Sequence, residues 1–364
     1  MKKIIKGKIK VVIVGCGRIS KKHILSLIEN YKHAEIVGLC DLNSKNIEIC
    51  LNLIKEISKK KSISVTPKIF EDYKNFIEDI KNNKINDDLV VLATPSGLHP
   101  EQVKDAASVG LNVCTEKPMA TKFKDGKEMI KACEKAKVHL FVVKQNRYNK
   151  TLQLVKRQVE NNRFGQISLI SVNVFWQRPQ SYYNEEKWRG TSKLDGGALL
   201  NQASHYVDLL TWMIGPLKTI SASKSTIGRS IEVENNAAIQ MEWLNGAIGT
   251  MSVSMNVFPK NLEGSITILG EKGSVKVGGA AVNNIEIWEF SDKHPDDNEV
   301  EIANSLTPNK NTLGHVPYYE NLFAFLRGEE STICDGYEGL KSLETIEAAY
   351  ISSNQKKVIK LPLH

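Results

Sequence analysis

The first 145 residues alternate between short apolar runs and longer segments with helical periodicity. The first run, residues 10–15 (KVVIVG), is almost continuously apolar, which is typical of a strand buried on both faces of a sheet. Further runs of this kind occupy residues 35–41, 68–70, 88–94, 112–118 and 139–146. Strands that alternate with helices in this way predict β-α-β units, a parallel sheet and right-handed crossovers.

After about residue 148 the pattern changes to strands rich in aromatic and β-branched residues. These runs occupy residues 167–176, 237–243, 247–257, 264–270 and 274–278, and helices are predicted at 151–161, 317–327 and 336–353. Alternation within the runs indicates an antiparallel sheet with one face covered. We therefore expect an α/β protein with a doubly wound parallel sheet in residues 1–147. Residues 148–364 are expected to form an α+β domain with a large, mostly antiparallel open sheet.

Two polar stretches, residues 57–67 and 292–311, are predicted to be surface loops because they are lysine-rich or contain prolines. No window of the sequence is apolar for long enough to cross a bilayer, and no signal peptide pattern follows the basic first residues. We therefore expect a cytoplasmic protein without a membrane segment.

The composition restricts the classes of partner. The chain has 49 Lys and Arg against 41 Asp and Glu, a net charge of +8, and its basic residues are scattered rather than clustered. This distribution disfavours nucleic acid and fits an anionic small molecule. The six cysteines show neither a C-x-x-C motif nor the spacing of a zinc site. Cys16, Cys40 and Cys114 lie in or beside apolar runs and are expected to be buried thiols in a reducing compartment, and no metal is expected.

A glycine turn ends the first strand and opens a helix. It consists of Gly15, Cys16 and Gly17, followed by Arg18 and Ile19. Glycines at this place let the backbone approach a pyrophosphate, which then lies at the helix N-terminus. The third position of the usual dinucleotide fingerprint is serine at 20 instead of glycine or alanine. The alternative is a simple strand-to-helix turn.

Asp41 ends the second strand, 26 residues after the first glycine. A carboxylate there accepts the hydroxyls of an adenosine ribose and repels a 2′-phosphate, which favours NAD over NADP as the cofactor. The alternative is that Asp41 caps the next helix.

Two motifs follow the fourth and fifth strands, Thr94-Pro95-Ser96 and Glu116-Lys117-Pro118. Ligands of doubly wound sheets bind outside the carboxyl ends of the strands, so these motifs are expected at the same edge as the glycine turn. A lysine held there can orient or deprotonate an alcohol. The alternative is a surface ion pair between Glu116 and Lys117.

In chain order, G-x-G-x-I, T-P-x-x-x-H, E-K-P and a distal W-R…G-G-A-L…H-x-x-D resemble the Gfo/Idh/MocA oxidoreductases over nearly the whole sequence. The resemblance implies a Rossmann domain and an NAD-dependent dehydrogenase in which Lys117 is catalytic. It also implies that His205 pairs with this lysine at the nicotinamide; a satisfied core histidine is the alternative. The expected cofactor contacts are Gly15, Gly17, Arg18, Ile19, Asp41, Thr94, Pro95, Ser96, His99, Glu116, Lys117, Asn146, Trp188 and Arg189. For Trp188 a place in the core is the alternative.

Further stretches, at residues 141–149, 172–183, 188–190, 196–210 and 258–279, resemble a subfamily of nucleotide-sugar dehydrogenases within that family. Many family members have an acidic residue four positions before the histidine, whereas this chain and the subfamily have Asn201. The spacing of Asn201, His205 and Asp208 predicts one shared helix face. We expect Asn201 to belong to the catalytic group.

The subfamily resemblance implies oxidation of the 3″-hydroxyl of UDP-N-acetylglucosaminuronate (UDP-GlcNAcA) to a ketone, in bacterial lipopolysaccharide O-antigen biosynthesis. Such a substrate carries a pyrophosphate and a carboxylate, so Arg and Lys clamps are expected. The candidate substrate contacts are Lys117, Arg147, Lys187, Asn201, His205, Lys260 and Asn261; for the cations, solvated surface charge is the alternative.

The family resemblance further implies a homo-oligomer, with a tetramer expected, built on the open sheet. Two other function classes stay open: a dehydrogenase of another sugar or of an inositol, and a non-catalytic NAD-binding regulator. The presence of both Lys117 and His205 argues against the regulator.

Overall fold

The computed structural model describes residues 5–82, 84–279, 282–305 and 314–363. The chain divides into two compact units, each assembled from separate stretches of sequence. Unit 1 comprises Met1–Ala120, Lys124–Gln145 and Asn309–Leu340, and unit 2 comprises Thr121–Phe123, Asn146–Pro308 and Lys341–His364.

Unit 1 contains a six-stranded parallel sheet with the order β3-β2-β1-β4-β5-β6. Its strands are β1 Ile9–Val14, β2 Ala34–Cys40, β3 Lys68–Phe70, β4 Leu89–Leu92, β5 Asn112–Thr115 and β6 Leu140–Val142. The connecting helices are α1 Ser20–Glu29, α2 Ser44–Lys61, α3 Tyr73–Lys81, α4 His99–Ser108 and α5 Phe123–Ala136. The strand order reverses between β1 and β4, which is where a doubly wound sheet binds its ligand. The predicted fold of this part is confirmed.

The helix α2 is longer than expected. It extends to Lys61, so the loop predicted at 57–67 is wrong for its first five residues. Ser62 follows in the left-handed conformation (φ +54°), and its amide binds Lys59 O. Ile57 and Ser58 are buried, and the polar composition of this stretch does not predict that packing.

The core of unit 1 includes a helix from the far end of the chain. This helix, α11, spans His315–Leu326, and its residues Tyr318, Tyr319 and Phe323 are completely buried. The Tyr319 hydroxyl lies 2.7 Å from His23 Nδ1 on α1. From its position in the sequence, α11 is expected in the second domain, whereas these contacts group it with the parallel sheet.

Unit 2 contains an eight-stranded sheet with the order β13-β12-β11-β7-β10-β9-β8-β14. Its strands are β7 Ile167–Phe175, β8 Leu217–Ser225, β9 Asn236–Trp243, β10 Ile248–Ser254, β11 Glu263–Gly270, β12 Gly273–Gly278, β13 Asn284–Phe290 and β14 Ile359–Lys360. Neighbouring strands are antiparallel except β7 and β10, which are parallel. The expected mostly antiparallel open sheet is confirmed.

One face of this sheet carries exposed apolar residues. Ile248 is directly opposite Leu169 in the β10–β7 register, and the two are 55% and 38% exposed. Gly249, the next residue on β10, lies close to the backbone of Ile170 on β7. A Cβ at position 249 would lie 2.6 Å from the carbonyl oxygen of Ile170.

The remaining helices are α6 Lys150–Glu160, α7 Gln180–Asn184, α8 Ala198–Asn201, α9 Ser204–Met213, α10 Glu299–Ser305 and α12 Gly336–Gln355. The loop predicted at 292–311 is wrong where α10 forms; residues 306–311 lie outside the described part. Buried Ala303 and acidic residues in the first turn explain the helix. Among the described residues, no helix is both long and apolar enough to span a bilayer.

Candidate functional site

The glycine turn after β1 is fixed by close backbone packing. Gly15 has a positive φ of +94°, and a Cβ there would lie 2.6 Å from the carbonyl oxygen of Ala93. The Cβ of a residue at Gly17 would meet no atom within 4 Å, so the space in front of the turn is open. Helix α1 then begins without a side-chain cap. Uncapped amides at a helix N-terminus beside an open glycine turn fit a diphosphate.

Ser20 explains the departure from the usual fingerprint. Its hydroxyl donates a hydrogen bond of 2.6 Å to Gly17 O, and the side chain is completely buried. The serine therefore closes the turn from the inside, in place of the close helix–strand packing that a glycine or alanine provides. The neighbouring Arg18 is exposed and Ile19 half-buried.

Asp41 is tied directly to the glycine turn. Its Oδ2 accepts a hydrogen bond of 2.7 Å from Cys16 N, and its Oδ1 accepts one of 2.7 Å from Asn43 N. A carboxylate has about four acceptor sites, so further ones remain for ribose hydroxyls. The alternative that Asp41 caps α2 is wrong, because Asn43 is the N-cap and accepts from Lys45 N at 3.0 Å.

The T-P-S and E-K-P motifs are joined by a buried histidine. The two ring nitrogens of His99 lie 3.0 Å from Thr94 O and 3.1 Å from Pro118 O. Its ring is completely buried, so it holds the ends of β4 and β5 together rather than facing an open cleft. Thr94 Oγ1 donates to Gln102, and the short turn that starts at Ser96 follows Pro95. These hydrogen bonds do not test whether His99 also contacts the cofactor, which stays a prediction.

Glu116 is directed into the core of unit 1. Its Oε1 lies 3.1 Å from His23 Nε2 and 3.8 Å from His315 Nε2, and its Oε2 accepts from Lys117 N at 3.0 Å. Burial alone would raise the pKa of Glu116, but the two histidines outweigh it and hold the pKa well below its usual value. The alternative of a surface ion pair with Lys117 is wrong because this carboxylate is buried. Lys117 itself is half-buried.

In unit 2, Arg147 forms a buried ion pair with α9. Its Nε donates to Asp208 Oδ2 at 2.9 Å and its Nη2 donates to Asp208 Oδ1 at 2.7 Å. The guanidinium also lies 5.8 Å from the Trp212 ring centroid. Much of its hydrogen-bonding capacity is therefore used within the protein. Asn146, beside it, is buried and accepts from Asn149 N through its carbonyl.

The W-R-G segment at 188–190 borders a polar cleft. Arg189 Nη1 donates to Tyr182 O at 2.7 Å and to Glu185 at 2.6 Å, and its guanidinium packs 4.4 Å from the Tyr182 ring centroid. The cleft has a volume of about 430 Å³ and is lined by Lys187, Arg189 and Glu232 among other residues. Trp188 is half-buried and Lys187 is exposed at its rim.

Asn201 and His205 do not share one helix. Asn201 is the last residue of α8 and His205 is the second residue of α9, with Gln202 and Ala203 between them. The predicted single helix face is therefore wrong. The interruption has a physical cause, since the side chain of Asn201 donates to Asp195 and that of Gln202 binds Tyr182 and Arg178. His205 is half-buried.

Asp195 is a polar residue of the site that was not predicted from the sequence. It is buried, and its Oδ2 accepts a hydrogen bond of 2.6 Å from Gly190 N while its Oδ1 accepts from Asn201. It therefore links the W-R-G segment to Asn201. The only signal in the sequence is its place directly before the glycine pair 196–197.

Glu234 is a second missed residue. Its backbone oxygen accepts from Ala198 N, and its Oε1 accepts from Leu199 N at 3.0 Å and from the Tyr350 hydroxyl at 2.9 Å. Burial raises the pKa of this carboxyl, against the effect of these donors. A Cβ at Gly197 would overlap the Glu234 carboxylate, which explains the glycine at the start of α8.

The remaining predicted substrate contacts lie in the turn after β10. Asn261 Oδ1 accepts a hydrogen bond of 2.8 Å from Gln177 N, and Lys260 is exposed. Within the residues that the structure describes, no His, Cys, Asp and Glu side chains are grouped so as to hold a metal ion.

Family models match both parts of the chain. The model "Oxidoreductase family, NAD-binding Rossmann fold" matches residues 9–144, and "Oxidoreductase family, C-terminal alpha/beta domain" matches residues 156–361. The putative oxidoreductase YteT of Bacillus subtilis is 25% identical over 207 residues, which is 56% of this chain and 46% of that protein. The chain thus spans about half the length of this relative.

Two solved structures match the chain over its whole length. The WlbA dehydrogenase from Bordetella pertussis, in complex with NADH and UDP-GlcNAcA, is 46% identical with a TM-score of 0.90, and the match covers 100% of both chains. The WlbA dehydrogenase from Chromobacterium violaceum, with the same two ligands, is 46% identical with a TM-score of 0.88, covering 100% of this chain and 99% of that one. The chain therefore belongs to the Gfo/Idh/MocA family of oxidoreductases and has that family's NAD-binding Rossmann domain.

Proposed function

We propose that this protein is an NAD-dependent dehydrogenase that oxidises the 3″-hydroxyl of UDP-GlcNAcA to the 3-keto sugar. The observation that carries the proposal is the 46% identity, over the full length, to two dehydrogenases whose structures contain NADH and UDP-GlcNAcA. The geometry of unit 1 supports it, because the glycine turn, the uncapped α1 and Asp41 fit the diphosphate and a ribose of NAD.

The substrate is anionic, with a pyrophosphate and a uronic carboxylate, and the chain carries a net charge of +8. Lys187 and Lys260 are exposed and remain our candidates for contacts with these groups. Arg147 already holds Asp208, so a substrate anion near it would have to share the guanidinium. Asn261 is held at Gln177 N and keeps its amide nitrogen for a ligand.

In the reaction that we propose, NAD supplies the acceptor for the hydride that leaves C3 of the sugar. Asp41 holds the adenosine ribose, and the amides of the glycine turn and α1 hold the diphosphate. Lys117 Nζ and the His205 imidazole remove or relay the proton of the 3″-hydroxyl, as the family resemblance implies. Asn201 is fixed by Asp195 and offers a neutral amide where many relatives have a carboxylate.

We further propose that the protein acts in the cytoplasm, in the biosynthesis of lipopolysaccharide O-antigen, and that it forms a homotetramer. The exposed pair of Leu169 and Ile248 on the open face of the unit 2 sheet supports association, because contiguous apolar surface on such a face favours burial against another subunit. Light scattering at micromolar concentration tests the tetramer, and a species with the 40.7 kDa mass of one chain would refute it.

The activity is tested by following NADH absorbance with a panel of substrates. UDP-GlcNAcA, free sugars and inositols are each incubated with the protein and NAD. We expect NADH with UDP-GlcNAcA alone. Turnover of a free sugar or an inositol instead would assign another dehydrogenase activity of the family, and NAD binding without turnover of any of them would indicate a regulator.

A further inference from the structure

A group of buried polar side chains lies behind the E-K-P motif in unit 1. We call it the Glu116 cluster, and it consists of Glu116, His23, His315 and Tyr319. Glu116 Oε1 lies 3.1 Å from His23 Nε2 and 3.8 Å from His315 Nε2, and His23 Nδ1 lies 2.7 Å from the Tyr319 hydroxyl. The rings of His23 and His315 also pack edge to face, with centroids 5.5 Å apart.

The protonation states in the cluster follow from its burial and contacts. Burial lowers the pKa of His23 in spite of Glu116, while the histidines hold the pKa of Glu116 well below its usual value. At neutral pH the Glu116 carboxyl is therefore an anion. An anion only accepts, so the His23 Nε2 that faces it carries a proton. Tyr319, His23 and Glu116 thus form a row of close polar contacts, of 2.7 and 3.1 Å, that ends at the carboxylate.

The same carboxylate also fixes the backbone of the proposed catalytic residue. Glu116 Oε2 accepts the amide hydrogen of Lys117, and Glu116 N donates to Leu92 O at 2.9 Å. On the other side of the lysine, the carbonyl of Pro118 faces His99 Nδ1 at 3.1 Å. A buried imidazole thus lies against each neighbour of Lys117.

We propose that Glu116, held between His23 and Lys117 N, is a positioning residue that fixes the backbone of Lys117 and supplies a buried negative charge that influences the titration of its amine. The inference rests on the proposed function for the catalytic role of Lys117. The other titratable groups that face the carboxylate are Cys114, on the same strand, and His99. Burial raises the pKa of the Cys114 thiol to about 12 and lowers the pKa of the His99 imidazole.

A purely structural role explains the Glu116 cluster less well than a positioning role does. Replacing a buried ionic group by apolar residues of similar volume is often neutral or stabilising, so packing alone does not require a carboxylate between two imidazoles. The neighbouring Tyr318 supplies a comparison within the same helix. Its ring is equally buried, but its hydroxyl faces Cys114 Sγ at 3.4 Å instead of the Glu116 cluster.

The first experiment measures the titration of Lys117 without any substrate. The full-length protein is labelled with trace acetic anhydride over a pH series, and acetylation of the Lys117 peptide is quantified by mass spectrometry. In Glu116→Gln the carboxamide oxygen can still accept from Lys117 N. Its NH2 can donate to His23 Nε2 once the imidazole carries its proton on Nδ1, beside the Tyr319 hydroxyl, so the fold is expected to survive. We expect the labelling midpoint to fall by about one pH unit, because an anion near an ammonium stabilises its charged form.

The second experiment separates charge from geometry by steady-state kinetics. Tyr319→Phe removes only the hydroxyl that orients His23, and we expect kcat to fall about tenfold while the Kd for NAD stays unchanged. Tyr318→Phe is the matched control and should leave kcat within about twofold. Glu116→Asp keeps the negative charge, but the shorter side chain moves the carboxylate away from His23. The labelling midpoint of Lys117 should therefore stay close to that of the wild type, while kcat falls.

The outcomes separate this inference from the proposed function. An unchanged Lys117 midpoint in folded Glu116→Gln, or equal losses in Tyr319→Phe and Tyr318→Phe, would overturn the positioning role. If Glu116→Gln does not fold, the labelling midpoint of Tyr319→Phe against Tyr318→Phe decides, and a downward shift in the former alone supports the role. A wild-type protein that makes no NADH from UDP-GlcNAcA would refute the proposed function, while the labelling series would still decide the inference.

Discussion

The buried ion pair of Arg147 and Asp208 provides a prediction whose size follows from the structure. The two side chains are 10% and 3% exposed and meet through two hydrogen bonds. Asp208→Asn leaves the guanidinium without its anion, which in buried pairs costs about 3–5 kcal/mol. We expect about 3 kcal/mol, because Arg147 keeps some solvent contact and the Trp212 ring. In a unit of this size, that lowers the unfolding midpoint by roughly 6–12 °C.

The assay is thermal unfolding followed by tryptophan fluorescence and circular dichroism. Glu160→Gln is the matched control, because it breaks the ion pair of Glu160 with Lys156 on the surface of α6, where the carboxylate is 61% exposed. Exposed pairs contribute about 0–1 kcal/mol, so the control should shift the midpoint by no more than a few degrees. A midpoint for Asp208→Asn that equals that of Glu160→Gln would refute the reasoning.

A double variant then separates the structural role of Arg147 from its predicted contact with substrate. In Arg147→Met/Asp208→Leu two apolar side chains replace the pair, and the loss of stability should be clearly smaller than the sum of the single variants. If the sugar nucleotide also contacts the guanidinium, KM for UDP-GlcNAcA stays raised in this stable double variant. A KM equal to that of the wild type would contradict the substrate role.

Other sites give further predictions. NAD should bind at least about tenfold more tightly than NADP, since a 2′-phosphate beside Asp41 costs on the order of 1.4 kcal/mol; equal affinities by calorimetry would contradict this role. Lys117→Ala and His205→Ala should each lower kcat by about 10²–10⁴ with NAD affinity intact. The double variant should be little worse than the worse single one, because groups that act as a unit are not additive; near-normal turnover of Lys117→Ala would exclude the mechanism. Gly197→Ala should destabilise the protein by about 1–3 kcal/mol, because its methyl group overlaps the Glu234 carboxylate; an unchanged unfolding midpoint would argue against this contact.

The sequence predicts the parallel sheet well because its strands are buried on both faces. Runs such as 10–15 and 88–94 are almost continuously apolar, and each corresponds to a strand of the structure. In the second sheet the signal is weaker. The strand β8 (LKTISASKS) is mostly polar and half-exposed, so hydrophobic pattern alone does not reveal it.

The candidate site is predictable only as far as its local motifs reach. The glycine turn directly follows β1, and Asp41 directly follows β2. In the structure a hydrogen bond from Cys16 N to Asp41 joins them. The contacts that orient the other groups are distant in sequence. Tyr319 meets a partner 296 residues away in α1, and Arg147 meets one 61 residues away. No local spacing encodes such pairs, because the tertiary fold alone brings them together.

The return of α11 to the parallel sheet has a consequence for the synthesis of the chain. The core of unit 1 takes in Tyr318, Tyr319 and Phe323, so a nascent polypeptide released only as far as residue 145 still lacks part of its apolar packing. Completion of the nucleotide-binding half therefore waits until most of the protein has left the ribosome. For the same reason, a fragment cut after the sixth strand would expose α1 to water and favour aggregation. An excised first half requires the α11 segment, added in trans or through a linker, to fold.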